Sequence, residues 1–256
     1  MDSFEKEVKK RIEELPGNKA IIASSQAFMT ASTLPKYSYN FSWLGRPIIQ
    51  YPQDIVAMQE LIWAVKPDLV IETGIAHGGS LIFSASMLAL LDLTEAIENS
   101  NIINPDSPRR KVLGIDIDIR QHNRQAITSH PLANWVEMIE GSSISPETID
   151  KVTKIAKRFQ RVLVCLDSNH THEHVLAELE AYAPLVTNSS YCVVFDTIID
   201  NLPDSMFPDR SWGPGNNPKT AVKEYLSTHP EFEIDASITD KLQITVAPDG
   251  YLRKIA

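Results

Sequence analysis

Hydrophobic and polar positions divide the chain into an irregular beginning and a regular remainder. Phe4, Val8, Ile12 and Leu15 recur at spacings of four and three, so residues 1 to about 15 should form an amphipathic helix that Pro16-Gly17 stops. Residues 20–52 show no such period. Pro35, Pro47 and Pro52 are set there among Tyr37, Tyr39, Phe41, Trp43 and Tyr51, which predicts an irregular but structured extension; a linker would not carry so many large apolar groups. From Asp54 an alternation begins. Helices are expected at about 54–65, 80–93, 121–129, 146–159, 171–182 and 218–228, and strands at 68–74, 111–116, 135–139, 161–167 and 191–196. Three of these strands are almost continuously apolar, as strands buried on both faces of a parallel sheet are. Two more are expected at 232–238 and 242–247, the second ended by an Asp249-Gly250 turn. The pattern describes one α/β domain, residues 54–256, preceded by an extension, residues 1–53. Residues 198–217, with several prolines, form a loop long enough to suggest a functional cover.

Composition narrows the function by exclusion. The 256 residues are 43% hydrophobic and 22% charged, with a net charge of −9, so neither nucleic acid nor an anionic membrane is an expected partner. The first residues are charged and helical in pattern, unlike a signal peptide or membrane span. Cys165 and Cys192 are the only cysteines and both lie in apolar runs, which argues against disulfides and for a cytoplasmic location. Glycine is scarce, at ten residues, yet three of the ten fall between positions 74 and 79.

That bunching marks the first chemical candidate, Glu72-Thr-Gly-Ile-Ala-His-Gly-Gly-Ser80, at the carboxyl end of the first parallel strand. Ligands of open α/β sheets bind at such edges. The spacing is not the dinucleotide fingerprint, and no Lys-Ser/Thr follows to make a phosphate loop. Glu72 would repel phosphate but could hold a cation or an amine; the plain alternative is a tight strand-to-helix turn. Asp116, ending the next strand in Gly-Ile-Asp-Ile-Asp118, could accept hydrogen bonds from two ribose hydroxyls, or could be acidic only because it meets solvent. Asp167 and Asp196 end the fourth and fifth strands. If those strands are neighbours, the two carboxylates emerge together and suggest a divalent ion held by oxygens. His170 and His174, four apart, would share a helix face and could instead serve zinc or iron.

Together these segments resemble the cephalosporin hydroxylase/rhamnosyl O-methyltransferase family of class I S-adenosylmethionine-dependent methyltransferases. The resemblance rests on Trp43-Leu-Gly-Arg-Pro47, Tyr51-Pro-Gln-Asp54, the segment from Pro67 to Ser80, Gly114-Ile-Asp-Ile-Asp118, Leu166-Asp-Ser-Asn-His170 with His174, and Trp212-Gly-Pro-Gly-Asn-Asn217, and spans roughly residues 40–230. It implies a Rossmann-like fold, a mostly parallel seven-stranded sheet with helices on both faces and an antiparallel C-terminal strand. It implies S-adenosylmethionine and Mg²⁺ as cofactors. Glu72, Gly74, His77, Gly78, Gly79 and Ser80 would line the methionine part of the cofactor, Asp116 its ribose, Ser142 and Ser143 its adenine, and Asp167 would face both cofactor and metal. Asp167 and Asp196 would be the metal ligands. Relatives often carry Glu-Asp where this chain has Phe195-Asp196, so one expected ligand is missing; Asp200 or Asp204 is the candidate replacement.

The implied reaction is methyl transfer to a hydroxyl of a sugar, glycoside or glycosylated natural product, with Asp167, Asp196 and His170 catalytic and His170 the general base. The loop 198–217 and the aromatic extension would cover the acceptor, and the apolar extension suits a homo-oligomer. Two other readings compete: an oxygenase using iron held by His170, His174 and Asp167, and an inactive nucleoside-binding homologue, suggested by Phe195.

Overall fold

The computed structural model describes residues 3–256, so Met1 and Asp2 of the expected first helix lie outside the described residues. Helix α1 (Ser3–Glu14) is followed by α2 (Lys19–Thr33), a hairpin of β1 (Phe41–Trp43) and β2 (Arg46–Ile48), and α3 (Pro52–Val65). The alternating part then runs β3 (Leu69–Thr73), α4 (Gly79–Asn99), β4 (Lys111–Asp116), α5 (Gln121–Thr128), β5 (Val136–Glu140), α6 (Pro146–Ala156), β6 (Val162–Leu166), α7 (His172–Tyr182) and β7 (Tyr191–Val194). It closes with α8 (Pro218–Thr228), β8 (Phe232–Ile234), α9 (Ala236–Leu242) and β9 (Tyr251–Lys254).

Seven strands form one sheet in the order β5-β4-β3-β6-β7-β9-β8. Strands β5, β4, β3, β6 and β7 pair in parallel, and β9 runs antiparallel to both β7 and β8. This is the expected Rossmann-like sheet with its antiparallel C-terminal strand. Successive residues of β3 face opposite layers. Val70 joins a core with Ile62 of α3 and Leu81 of α4, while Leu69 and Ile71 join another with Val152 of α6 and Leu179 of α7. Both faces of the strand are therefore apolar, and the continuous run Leu-Val-Ile is the result. The strand order reverses direction between β3 and β6, which places a crevice at their carboxyl ends. Helix α4 has the length and mean hydropathy of a membrane span, but half of that stretch is buried inside the domain.

Three expectations fail in whole or in part, for identifiable reasons. Residues 19–33 are helical, not irregular. The inward face of α2 is Ser25, Met29 and Ser32, spaced four and three apart but mostly hydroxylic, so no apolar stripe is visible in the sequence. The hydroxyls are satisfied locally: Ser25 donates to the Ile22 carbonyl at 2.9 Å, and Ser32 shares a 2.8 Å hydrogen bond with Tyr51. Near the C-terminus, the strand expected at 232–238 ends at Ile234, with residues 236–238 already in α9, and residues 242–247 are not a strand. Asp235 caps α9 through the Ser237 amide at 3.2 Å, and the chain beyond it is drawn in by the buried carboxylate of Asp54. That carboxylate accepts from the Thr245 hydroxyl and from the Val246 amide, the latter at 3.0 Å. Asp249-Gly250 leads into the last strand instead of ending one.

Candidate functional site

At the carboxyl end of β3 the chain turns sharply. Gly74 has φ +91°, and a Cβ there would lie 2.1 Å from the backbone oxygen of Asp167, so only glycine lets the β3 and β6 ends approach this closely. The loop that follows is held by charge and amides. Asp116 accepts from the Ile75 amide at 2.8 Å, the Ala76 amide at 3.2 Å and, on its other oxygen, the Asp118 amide at 3.1 Å. Arg46 of β2 donates to the His77 carbonyl through Nε at 3.0 Å and to Asn123 Oδ1 at 3.1 Å, while Asn123 Nδ2 donates to the Ala76 carbonyl at 2.9 Å. Glu72 is buried behind this loop and accepts from Ser84; burial raises its pKa above the usual carboxylate range, partly offset by the hydroxyls of Ser84 and Ser80.

Two clefts meet here. The smaller, about 140 Å³, lies between the ends of β3 and β4 and is lined by Gly74, Asp116, Ser142, Ser143, Ser168 and His174 among others. His174 Nε2 sits 3.1 Å from Ser143 Oγ and 3.2 Å from Ser168 Oγ, and Ser168 donates to the fully buried Glu178 at 2.6 Å. The larger, about 500 Å³, shares Gly74 and Ser168 with the first and extends past Asp167, His170 and Asp196 to Tyr39, Arg210 and Trp212. The expected covers thus do border it: the extension through Tyr39 and Tyr51, the loop through Met206 and Trp212. Trp43 does not; its indole donates to Ser86 at 3.0 Å and packs edge-on against Phe83.

Strands β6 and β7 are neighbours, with Leu166 opposite Val194, so Asp167 and Asp196 do emerge side by side. His170 Nε2 is 3.3 Å from Asp196 Oδ2, and one donor atom from each of Asp167, His170 and Asp196 lies within 4.8 Å of the other two. Trp212 meets the His170 ring edge-on at 5.0 Å. Asp196 adopts φ +56°, a left-handed conformation that turns its carboxylate out of the strand direction. Burial, then the charges of Asp196, Glu72, Glu178 and Asp54, push the Asp167 carboxyl well above its ordinary range. Such a cluster is relieved by a cation.

The structure also separates residues that the sequence grouped. Helix α7 starts at His172, so His170 belongs to the preceding loop and cannot share a helix face with His174, whose ring points to Ser143 and Ser168. The His170/His174/Asp167 iron cluster is therefore not assembled. Asp200 does not replace the missing acid at Phe195: it accepts from Asn217 Nδ2 at 2.8 Å and the Gly215 amide at 3.1 Å, clamping the loop. Phe195 itself is buried in the core behind the site. Gly78 and Gly79 are required by packing, since a Cβ at Gly79 would meet the Pro47 carbonyl at 2.1 Å and one at Gly78 the Ile127 side chain. His77 contributes its carbonyl to Arg46, while its ring borders neither cleft.

Four contributors escaped sequence reading: Arg46, Asn123, Gln50 and Asp54. Gln50 is 8% exposed; its Nε2 lies 3.4 Å from Asp167 Oδ2 and its Oε1 has no partner among the described residues. Arg46, Gln50 and Asp54 each lie in or beside a motif of the extension, but their partners are 31, 117 and 191 positions away.

The sheet order, the crevice over Gly74 and the acidic ends of β3, β4, β6 and β7 define a protein of the class I methyltransferase architecture. The family is more particular. The model of the rhamnosyl O-methyltransferase/CmcI family matches residues 35–255, and the chain belongs to that family. A rhamnosyl O-methyltransferase of Mycobacterium tuberculosis (strain ATCC 25618 / H37Rv) is 29% identical over 201 residues, covering 78% of this chain and 72% of its own. One from Mycobacterium leprae is 28% identical over 213 residues, 82% of each. Among solved structures, CmcI with SAH superposes with a TM-score of 0.54 at 17% identity, over 84% of this chain and 83% of that one. CmcI with Mg and SAM gives 0.53 at 15% identity, over 85% and 78%. These structural likenesses establish the fold.

Proposed function

We propose that the protein is an S-adenosylmethionine-dependent O-methyltransferase acting on a sugar hydroxyl of a glycoside or glycosylated natural product, assisted by a divalent cation. The observation that carries this is the meeting of the two clefts over Gly74, with the Asp167, His170 and Asp196 cluster on the larger side of the junction. Family membership and the relatives named for rhamnosyl O-methyl transfer support a deoxysugar acceptor.

The smaller cleft has polar partners for a nucleoside. Asp116 could accept from ribose hydroxyls with lone pairs its three amide donors leave free, and Ser142 and Ser143 border the place for the base. Glu72, buried and close to Gly74, favours the cationic methionine end. Methyl transfer forms a C–O bond as the C–S bond breaks, the electron pair passing to sulfur, so the chain must mainly align the acceptor oxygen and loosen its proton. Tyr39 and Trp212 offer flat faces to a sugar ring in the larger cleft.

The donors present fit a divalent ion. Two carboxylates converge with an imidazole, the carboxyl of Asp167 is pushed toward its protonated form without one, and the Gln50 amide oxygen beside it is buried and unpartnered. When bound, such an ion would lower the pKa of an acceptor hydroxyl. Two acceptors for that proton would border the cleft, the His170 imidazole and water in its open part, where Leu34 and Tyr39 are exposed. Free, buried Cys165 and Cys192 support a reducing, cytoplasmic setting.

The test is transfer of labelled methyl from S-adenosylmethionine to a panel of rhamnosyl and other deoxysugar glycosides, with and without EDTA. Label on the sugar, lost with EDTA and restored by a divalent ion, is expected. Transfer that EDTA leaves intact would remove the cation from the proposal, and cofactor binding without transfer to any sugar would contradict the acceptor class.

A further inference from the structure

Resting on the cation-assisted reading, we infer that His170 is itself a ligand of the ion rather than the acceptor of the hydroxyl proton, which then passes to water, so that the site is a two-carboxylate, one-imidazole set selecting a first-row transition ion such as Mn²⁺ over Mg²⁺. Donors around one ion at about 2.1 Å lie about 3 Å apart when adjacent and about 4.2 Å when opposite. His170 Nε2 and Asp196 Oδ2, 3.3 Å apart, match an adjacent pair, and Asp167 completes a set whose atoms lie within 4.8 Å. The nitrogen facing the site is thus aimed where a ligand would be, and the ring is held there by the edge of Trp212, over which Arg210 lies at 5.0 Å.

A second observation, independent of the cluster, points to something bound. Gln50 is more than nine-tenths buried, lines the same cleft as all three donors, anchors on Asp167 through Nε2, and leaves Oε1 with no hydrogen-bond donor. A buried amide oxygen without a donor is costly, and water on an ion beside Asp167 would supply one.

Three other carboxylates are committed elsewhere. Asp200 clamps the covering loop, Asp54 takes Thr245, Val246 and Tyr251, and Glu72 takes Ser84. Phe195, next to Asp196, brings no oxygen and packs into the core. An all-oxygen set suits Mg²⁺, whereas an imidazole among the donors shifts preference toward Mn²⁺, Co²⁺ and their neighbours.

The experiment is titration of the full chain with Mn²⁺ and with Mg²⁺, together with pulsed electron paramagnetic resonance of the Mn²⁺-loaded protein. Coupling to one directly bound imidazole nitrogen is expected, lost in His170→Ala and in His170→Gln, with Mn²⁺ weakened at least tenfold and thermal unfolding used to verify that each variant is folded. Phe195→Glu should narrow the Mn²⁺ over Mg²⁺ preference. Absence of nitrogen coupling, coupling that survives both His170 variants, equal affinity for the two ions, or no ion bound would each overturn the inference. Titration of S-adenosylhomocysteine into the same samples keeps the two ideas apart: normal binding with no nitrogen coupling removes only the donor set, and no binding removes the methyl-transfer reading.

Discussion

The two acidic edges of the crevice are built differently. At the ends of β3 and β4, each carboxylate is already answered by the protein: Asp116 by three amides, Glu72 by Ser84. At the ends of β6 and β7, Asp167 and Asp196 face one another across His170, and among the described residues only the long contact from Gln50 steadies the Asp167 carboxylate. The first edge is a finished wall, ready to order a neutral hydroxyl or an amine. The second is an excess of negative charge that a positive ligand completes. A comparable number of acids therefore does two jobs, and the count of protein donors around each distinguishes them.

The largest expected effect is on the unfinished edge. Asp167→Asn should lower kcat roughly a thousandfold, as loss of a central electrostatic group does, while S-adenosylhomocysteine affinity by calorimetry stays within a few-fold. Equal loss of both would blur the distinction between the edges. Gly74→Ala strikes the junction, where a Cβ would overlap the Asp167 carbonyl; about 3 kcal/mol of stability should be lost by denaturant unfolding, given positive φ and the overlap together.

Asp54 offers a sharper comparison, because it has three donors yet its pKa is raised from 3.8 to about 6, mainly by burial. A raised folded-state value means the protonated form is preferred in the fold. The associated stability is complete below about pH 4 and is lost as pH rises through 6, roughly 2–3 kcal/mol in all. Chemical denaturation between pH 4 and 7 should give wild type this slope relative to Asp54→Asn. A difference independent of pH would mean that its donors cancel the effect of burial, and the opposite slope that they outweigh it. The smallest effect belongs to the finished edge: Asp116→Ala should raise the cofactor KM about tenfold, the order of one or two lost hydrogen bonds, with kcat changed less.

The sequence exposed the strand ends because parallel strands are apolar until they reach the crevice, so Glu72, Asp116, Asp167 and Asp196 stand out against Leu-Val-Ile and its equivalents. It exposed Gly74, whereas the need for glycine at Gly78 and Gly79 comes from Ile127 and from the β2 backbone, partners that local spacing does not reveal. Helix α2 was hidden by an inward face of serines, and the C-terminal swap of a strand for a tied loop by the distant pull of Asp54. His170 and His174 were paired by spacing alone, and the helix start at His172 undid the pairing. Gln50 was invisible for a simpler reason: an amide in an aromatic, proline-rich stretch has no signature until its partner, 117 positions on, is beside it.

The most direct measurement is a crystal structure of the chain with S-adenosylhomocysteine and Mn²⁺, using the anomalous signal of the metal. The account predicts the ribose against Asp116, the sulfur over Gly74 at the junction of the two clefts, and a single anomalous peak bounded by Asp167, His170 and Asp196. A nucleoside bound away from Glu72 and Asp116, or a metal peak away from Asp167 and Asp196, would contradict it.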